Sequence, residues 1–361
     1  MESPSIRESV AGAVWIYVAN VVMALGGFIF WVIMAKLSGL KALGIASAIV
    51  SAAAIASMLV SAGINIAVIR EVASRGLEAF WSALMISLFL GAISSILAFG
   101  LAKFLDVGNS FICAVLSFAS VISITLTASL VGYRVFRGLA FVAIASSLAK
   151  ILVGISVASM GMYLVAPLIG YVSYPITSSI AAFLILLPFV ANFKISMNEM
   201  KRVAMYIYTN YPVVFSSQLP MMLNVYLYAL ISQKAVPTGA LYLAFSITMA
   251  ISAIPTSLIN ASLPISIKRG VSSIADSARI GVALATPIIA FIVACPNVVL
   301  ELIAKGGAIA SSSLAILAMS IFPLAMLSAS VNELNRVGKP YTIALVGGLR
   351  LAALLTTYLP S

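Results

Sequence analysis

The chain has 361 residues, 63% hydrophobic and 8% charged, with a mean hydropathy of +1.19 and a formal net charge of +11. Soluble domains are only about 45–50% apolar, so this composition excludes one and points to a polytopic membrane protein. With no histidine and no clustered acids or cysteines, a zinc site and a Ser-His-Asp triad are excluded, and basic residues scattered between apolar stretches argue against nucleic acid.

Lipid offers backbone groups no hydrogen-bond partners, so apolar stretches of about 20 residues must be helical and the chain reads as all-α. Charges and turn residues mark eleven expected spans, near 12–35, 43–69, 80–102, 110–132, 139–160, 164–191, 203–231, 239–266, 280–300, 308–331 and 341–359. Cytoplasmic segments are rich in Lys and Arg. With the N-terminus inside, the inner segments hold 13 cations: Arg7, Arg70, Arg75, Arg134, Arg137, Lys194, Lys201, Arg202, Lys268, Arg269, Arg279, Arg336 and Lys339. The outer segments hold 5, namely Lys36, Lys41, Lys103, Lys234 and Lys305, so a cytoplasmic N-terminus in the cell membrane is expected. Cys113 and Cys295 sit in apolar surroundings far apart and read as packing residues.

The two halves share a plan. Glu8 with Trp15, Ile16 and Tyr17 is echoed 191 positions later by Glu199 with Tyr206, Ile207 and Tyr208, and Arg134-Val135 is echoed 202 positions later by Arg336-Val337. Six spans separate equivalent points, which predicts parallel repeats about an axis along the membrane normal. The polar link 192–202 divides an N-terminal six-helix lobe, 1–192, from a C-terminal lobe of five helices, 193–361, in which a twelfth helix is missing from the pattern. Pro175, Pro212, Pro220, Pro255 and Pro264 are candidate kinks, and Gly26-Gly27 and Gly347-Gly348 read as close-packing surfaces.

Lys150 and Arg350 are the lone mid-span charges of their segments, each twelve positions after a glycine, Gly138 and Gly338. A cation at the bilayer centre costs roughly 2.5–3.5 kcal/mol on insertion scales, so each is a functional candidate by default. No Asp or Glu lies at mid-depth: Glu2, Glu8, Glu71, Glu78, Glu199, Asp276 and Glu333 are expected on the inner side, Asp106 and Glu301 near the outer. An anionic ligand would supply the absent counter-ion, with Arg suited to bidentate phosphate binding and Lys acting as a point charge. Snorkelling or bonding to freed carbonyls is the competing explanation. Arg70, Arg134, Arg137, Lys268, Arg269 and Arg336 are expected to set orientation and meet anionic lipid headgroups, or else to receive the cargo phosphate first. Asn20, Asn65, Asn210, Gln218, Asn224 and Asn260, with Tyr17, Tyr208 and Tyr226, could bond sugar hydroxyls or neighbouring helices.

The segments RESVAGAVWIYVANVV (7–22), AKLSGLKALGIAS (35–47) and GINIAVIREVASRG (63–76), with RVFRG at 134–138 and RVGK at 336–339, resemble polysaccharide biosynthesis proteins. The resemblance is to the O-antigen flippase branch of the multidrug/oligosaccharidyl-lipid/polysaccharide exporter superfamily. It implies a V-shaped, two-lobed, MATE-like transporter, not an enzyme, that moves a polyprenyl-phosphate- or pyrophosphate-linked oligosaccharide to the outer leaflet. Lys150 and Arg350 would supply its cationic cavity. The implied partners are the anionic lipid-linked glycan, membrane lipids and glycan-assembly proteins, and no cofactor is called for. The alternatives are a multidrug cation antiporter of the same fold, which would carry a membrane-embedded carboxylate, and a truncated non-transporting partner subunit. A membrane ligase or polymerase would need long outer loops that the chain lacks.

Overall fold

The computed structural model describes residues 6–106, 108–269 and 273–337, with scattered positions between 342 and 356. Among the described residues the secondary structure is helical throughout: α1 (Ile6–Ser61), α2 (Ile64–Arg75), α3 (Leu77–Phe104), α4 (Ser110–Gly132), α5 (Phe136–Ser159), α6 (Ala166–Leu186), α7 (Met197–Ser232), α8 (Ala235–Arg269), α9 (Ile274–Ala294), α10 (Pro296–Ile303), α11 (Ser311–Met319) and α12 (Ile321–Val337). Eight apolar helical stretches among these residues are long enough to cross a membrane.

The first two expected spans are joined. At about 1.5 Å per residue, α1 would be roughly 84 Å long, far more than the ~30 Å hydrocarbon layer, so it makes two crossings. The chain turns between them at Gly39, whose φ of 76° and ψ of 170° break the helix in a conformation that only glycine adopts cheaply. The second expected span, 43–69, stops early. Gly63, at φ 89°, closes α1, and α2 then continues as a separate short helix ending in Arg75. Charge spacing alone did not reveal this break, because Asn65 is the sole polar residue between Gly63 and Arg70.

The ninth span, expected over 280–300, ends at Ala294, where Pro296 opens α10. The tenth is divided at Ser320 into α11 and α12. The turn expected after residue 160 is present, with Gly161 at φ 82°. The eleventh expected span falls mostly outside the described residues.

In lipid there is no hydrophobic drive between helices, so their association rests on close contact and hydrogen bonds of about 0.6–1.7 kcal/mol each. The first half supplies both. Ser87 of α3 bonds Thr125 of α4 at 2.5 Å, Ser94 bonds Ser117, and Ser123 donates to Ser178 of α6 at 3.0 Å. Cys113 is buried and its thiol reaches the Ile49 carbonyl at 3.4 Å.

The closest approach is between α1 and α8. A Cβ built on Gly239 would lie 2.8 Å from the Gly44 amide nitrogen, and one on Gly44 would lie 2.6 Å from the Ala235 carbonyl carbon. At this crossing the two backbones touch because neither glycine has a side chain. The other link between the halves is α7, which lies along α1, α2 and α3 more than along α8. Tyr211 donates to the Leu59 carbonyl at 2.8 Å, Tyr226 to the Leu101 carbonyl at 3.2 Å, and Glu199 accepts from Arg75 at 3.0 Å and Arg202 at 3.4 Å.

Candidate functional site

Lys150 lies on the inward face of α5, 4% exposed. Its position follows from the α5–α6 hairpin. The chain turns back around Met162, so residues equidistant from that point face each other across the antiparallel pair. Gly154 and Gly170 are one such pair, and a Cβ on Gly170 would fall 2.9 Å from the Gly154 Cα. This close approach seats the two helices together. One turn further from the loop, the same symmetry places Lys150 opposite Tyr174.

Three rings surround the ammonium: Phe30 of α1 at 5.3 Å, Tyr171 at 5.4 Å and Tyr174 at 4.9 Å. Phe30 is fully buried, wedged over the two glycines with its Cε2 2.9 Å from the Cβ position of Gly154 and 2.8 Å from that of Gly170. Ser146, one turn before Lys150 on α5, donates to the Val142 carbonyl at 2.5 Å. A desolvated cation–π contact is worth about 2 kcal/mol, so two of these rings already offset the insertion cost of the lysine. Among the described residues no carboxylate reaches Lys150; the ion pairs there involve Arg75, Lys194, Arg202 and Arg279.

The fourth side of the site is α1 itself. Gly26 packs against Ser147, its Cβ position 2.7 Å from the serine Oγ, and the Cβ position of Gly27 is 3.9 Å from Lys150 Nζ. The glycine pair is a close-packing surface, and the residues it covers are the polar ones of α5. Pro175, one turn after Tyr171, has no amide proton to give the Tyr171 carbonyl, yet α6 stays continuous and Ser179 donates to the Pro175 carbonyl at 2.7 Å.

The cage extends toward the second half. Tyr171 packs against Trp31 at 5.5 Å, and Trp31 meets Tyr242 of α8 edge-on at 4.8 Å. Trp31 and Tyr242 are buried, at 3% and 6% exposure. An unbroken aromatic path thus runs from Lys150 to the helix that crosses α1.

Arg350 lies outside the described residues, as do the side chains of Lys268, Arg269, Arg336 and Gln218. Of the other arginine candidates, Arg70 is stacked over the Tyr206 ring of α7 at 4.0 Å and Arg137 faces the Trp15 ring at 5.8 Å. Arg134, at φ 62°, borders a shallow cavity of about 570 Å³ together with Arg75 and Tyr133. Arg137 and Lys150 are 13 residues apart on α5, about 20 Å, so the structure does not bring the arginines and the lysine together.

Several polar candidates have ordinary structural partners. Tyr226 bonds a carbonyl of α3, Asn210 donates to the Tyr206 carbonyl at 2.8 Å, and Asn260 accepts from Asn332 at 3.1 Å. Tyr17 and Tyr208 are exposed, at 38% and 80%. Sequence reasoning missed Phe30, Tyr171 and Tyr174. The hairpin reflection about Met162 was the available signal for Tyr174, and Tyr171 lies one turn away on the same face of α6.

The sequence matches no family model, and no curated protein is similar enough to count as a relative. Solved structures do match. An inward-facing multidrug resistance MATE family transporter superposes with TM-score 0.58 at 15% identity, covering 96% of this chain and 84% of that one. The protein has the MATE fold. A MATE structure in complex with MaL6 matches with TM-score 0.58 at 13% identity over 94% of this chain and 84% of that one. A MOP superfamily transporter from Pyrococcus furiosus, described as having a binding pocket of reverse polarity, matches with TM-score 0.54 at 12% identity, over 96% and 88% respectively. The MATE fold accounts for the helical architecture; the finer likeness to O-antigen flippases rests on the sequence segments alone.

Proposed function

We propose that the protein is a flippase of the cell membrane, moving a polyprenyl-phosphate- or pyrophosphate-linked oligosaccharide from the inner to the outer leaflet for surface glycan assembly. The observation that carries this reading is Lys150: a buried cation in the first-half bundle, ringed by aromatic residues, with no carboxylate partner among the described residues. A MATE-fold chain with positive charge at that depth is suited to an anionic cargo and repels a cationic one. Arg350, at the matching position of the second half, would complete the site, and the two lobes divided near residue 192 would rock about it. Arg134 and Arg137, exposed at the arginine-rich end of the first half, are placed to meet phosphate groups of the cargo or of neighbouring lipids.

Expression of the chain in a strain lacking its lipid-linked oligosaccharide flippase is expected to restore surface glycan. A second reading, a multidrug antiporter, is favoured by the multidrug MATE structures among the matches. Increased resistance to cationic drugs with no restored glycan would support that reading and overturn the first.

A further inference from the structure

Hydroxyl groups buried in membrane helices usually satisfy themselves by donating to a carbonyl one turn back. In this chain Ser87 does so at 2.7 Å, Ser129 at 2.8 Å, Ser146 at 2.5 Å and Thr248 at 3.0 Å. Ser147 does not. Its Oγ is buried and has no hydrogen-bond partner, although the residue is only 4% exposed. Such a group costs about 1–3 kcal/mol, and each instance calls for an explanation. Ser38 and Ser51 carry unpartnered buried hydroxyls as well, but Ser147 alone lies three residues before Lys150, on the same helix face.

We infer that Ser147 and Lys150 together form an oxyanion-binding site beneath Gly26-Gly27, taking a terminal phosphate oxygen of the cargo. This deepens the reading of the protein as a carrier of phosphate-linked lipid and rests on it. The lysine supplies charge and the serine a neutral donor, so the phosphate oxygen would meet two partners and the Ser147 hydroxyl would gain the acceptor it lacks in this structure. The two glycines opposite are the second part of the argument. Any side chain at position 26 would run into the Ser147 Oγ, and Gly27 leaves the space beside Nζ free of a side chain. On the α1 side, Gly26 and Gly27 bring bare backbone against Ser147 and Lys150, while the rings of Phe30, Tyr171 and Tyr174 enclose the ammonium on its other sides.

The test uses the whole chain in lipid nanodiscs, with binding measured for a short-chain polyprenyl pyrophosphate, the corresponding uncharged polyprenol and inorganic pyrophosphate. Ser147→Ala, which removes only the hydroxyl, is expected to weaken polyprenyl pyrophosphate about tenfold and to leave polyprenol binding unchanged. Equal loss for both lipids would mean that Ser147 serves packing, and no loss for either would mean that it contacts nothing; each result overturns the inference. If inorganic pyrophosphate binds as tightly as the lipid and is equally sensitive to Ser147→Ala, the oxyanion site stands but its occupant is a free anion. Lys150→Met separates the two levels: if it leaves pyrophosphate-lipid binding intact, the flippase reading fails, whereas loss in Lys150→Met with full binding in Ser147→Ala removes only the serine's part.

Discussion

Replacement of Lys150 by Met is expected to lower export of the lipid-linked glycan about 10²-fold while leaving the protein normally inserted and abundant. The size follows from the partner it would abandon. Truncating one member of a desolvated charge pair costs about 2–5 kcal/mol, and the middle of that range is a factor of several hundred. Abundance is expected to hold because methionine fills the same space, and its thioether packs well against the edges of Phe30, Tyr171 and Tyr174. Lys150→Arg keeps the charge and stacks on the same rings, so it is expected to recover at least tenfold over Met. Surface glycan quantified against membrane-fraction protein reads the effect. Full export in the Met variant would show that the caged lysine is only a structural cation.

The second large effect is expected at the crossing of α1 and α8. Gly239→Ala places a methyl group among backbone atoms of α1 that cannot rotate aside, so the helices must separate. Overpacking of this kind costs about 1–3 kcal/mol. In detergent the Tm is expected to fall by roughly 5 °C, using the ~2–4 °C per kcal/mol of mid-sized domains. The control is Gly100→Ala in α3, where an added Cβ meets nothing within 4 Å. Alanine at that site should match or slightly exceed the parent, since glycine within a helix is up to ~1 kcal/mol less favourable than alanine. Equal Tm values for the two variants would mean that the halves are not held together at this point.

Much of the helical plan was legible because lipid enforces it. The expected limits 110–132 coincide with α4, and the α5–α6 turn came at Gly161, since a span must end where about 20 residues are used up. The errors fell where a helix breaks without a charge. Gly63 and Ser320 interrupt apolar runs, and nothing in hydropathy distinguishes them from the glycines and serines inside continuous helices, whereas the break at Gly39 is flanked by Lys36 and Lys41 and falls between the expected spans.

The site was half legible for a related reason. A lone lysine in an apolar span announces itself, so Lys150 was apparent from the sequence. Its surroundings depend on which helices pack together, and an aromatic residue in a membrane helix is commonplace. Phe30 is more than a hundred positions away, and only the facing glycines at 154 and 170 draw it to the lysine. Ser147 was still less visible, because the missing bond that marks it exists only in three dimensions.

The most direct measurement is translocation by the purified chain in proteoliposomes, comparing a labelled polyprenyl-pyrophosphate oligosaccharide, its uncharged polyprenol counterpart and a permanently cationic dye. The anionic lipid is expected to cross at a rate well above protein-free vesicles, with the other two at background. Transport of the cation in preference to the anion, or movement of the charged and uncharged lipids at the same rate, would contradict a carrier organised around a buried positive charge.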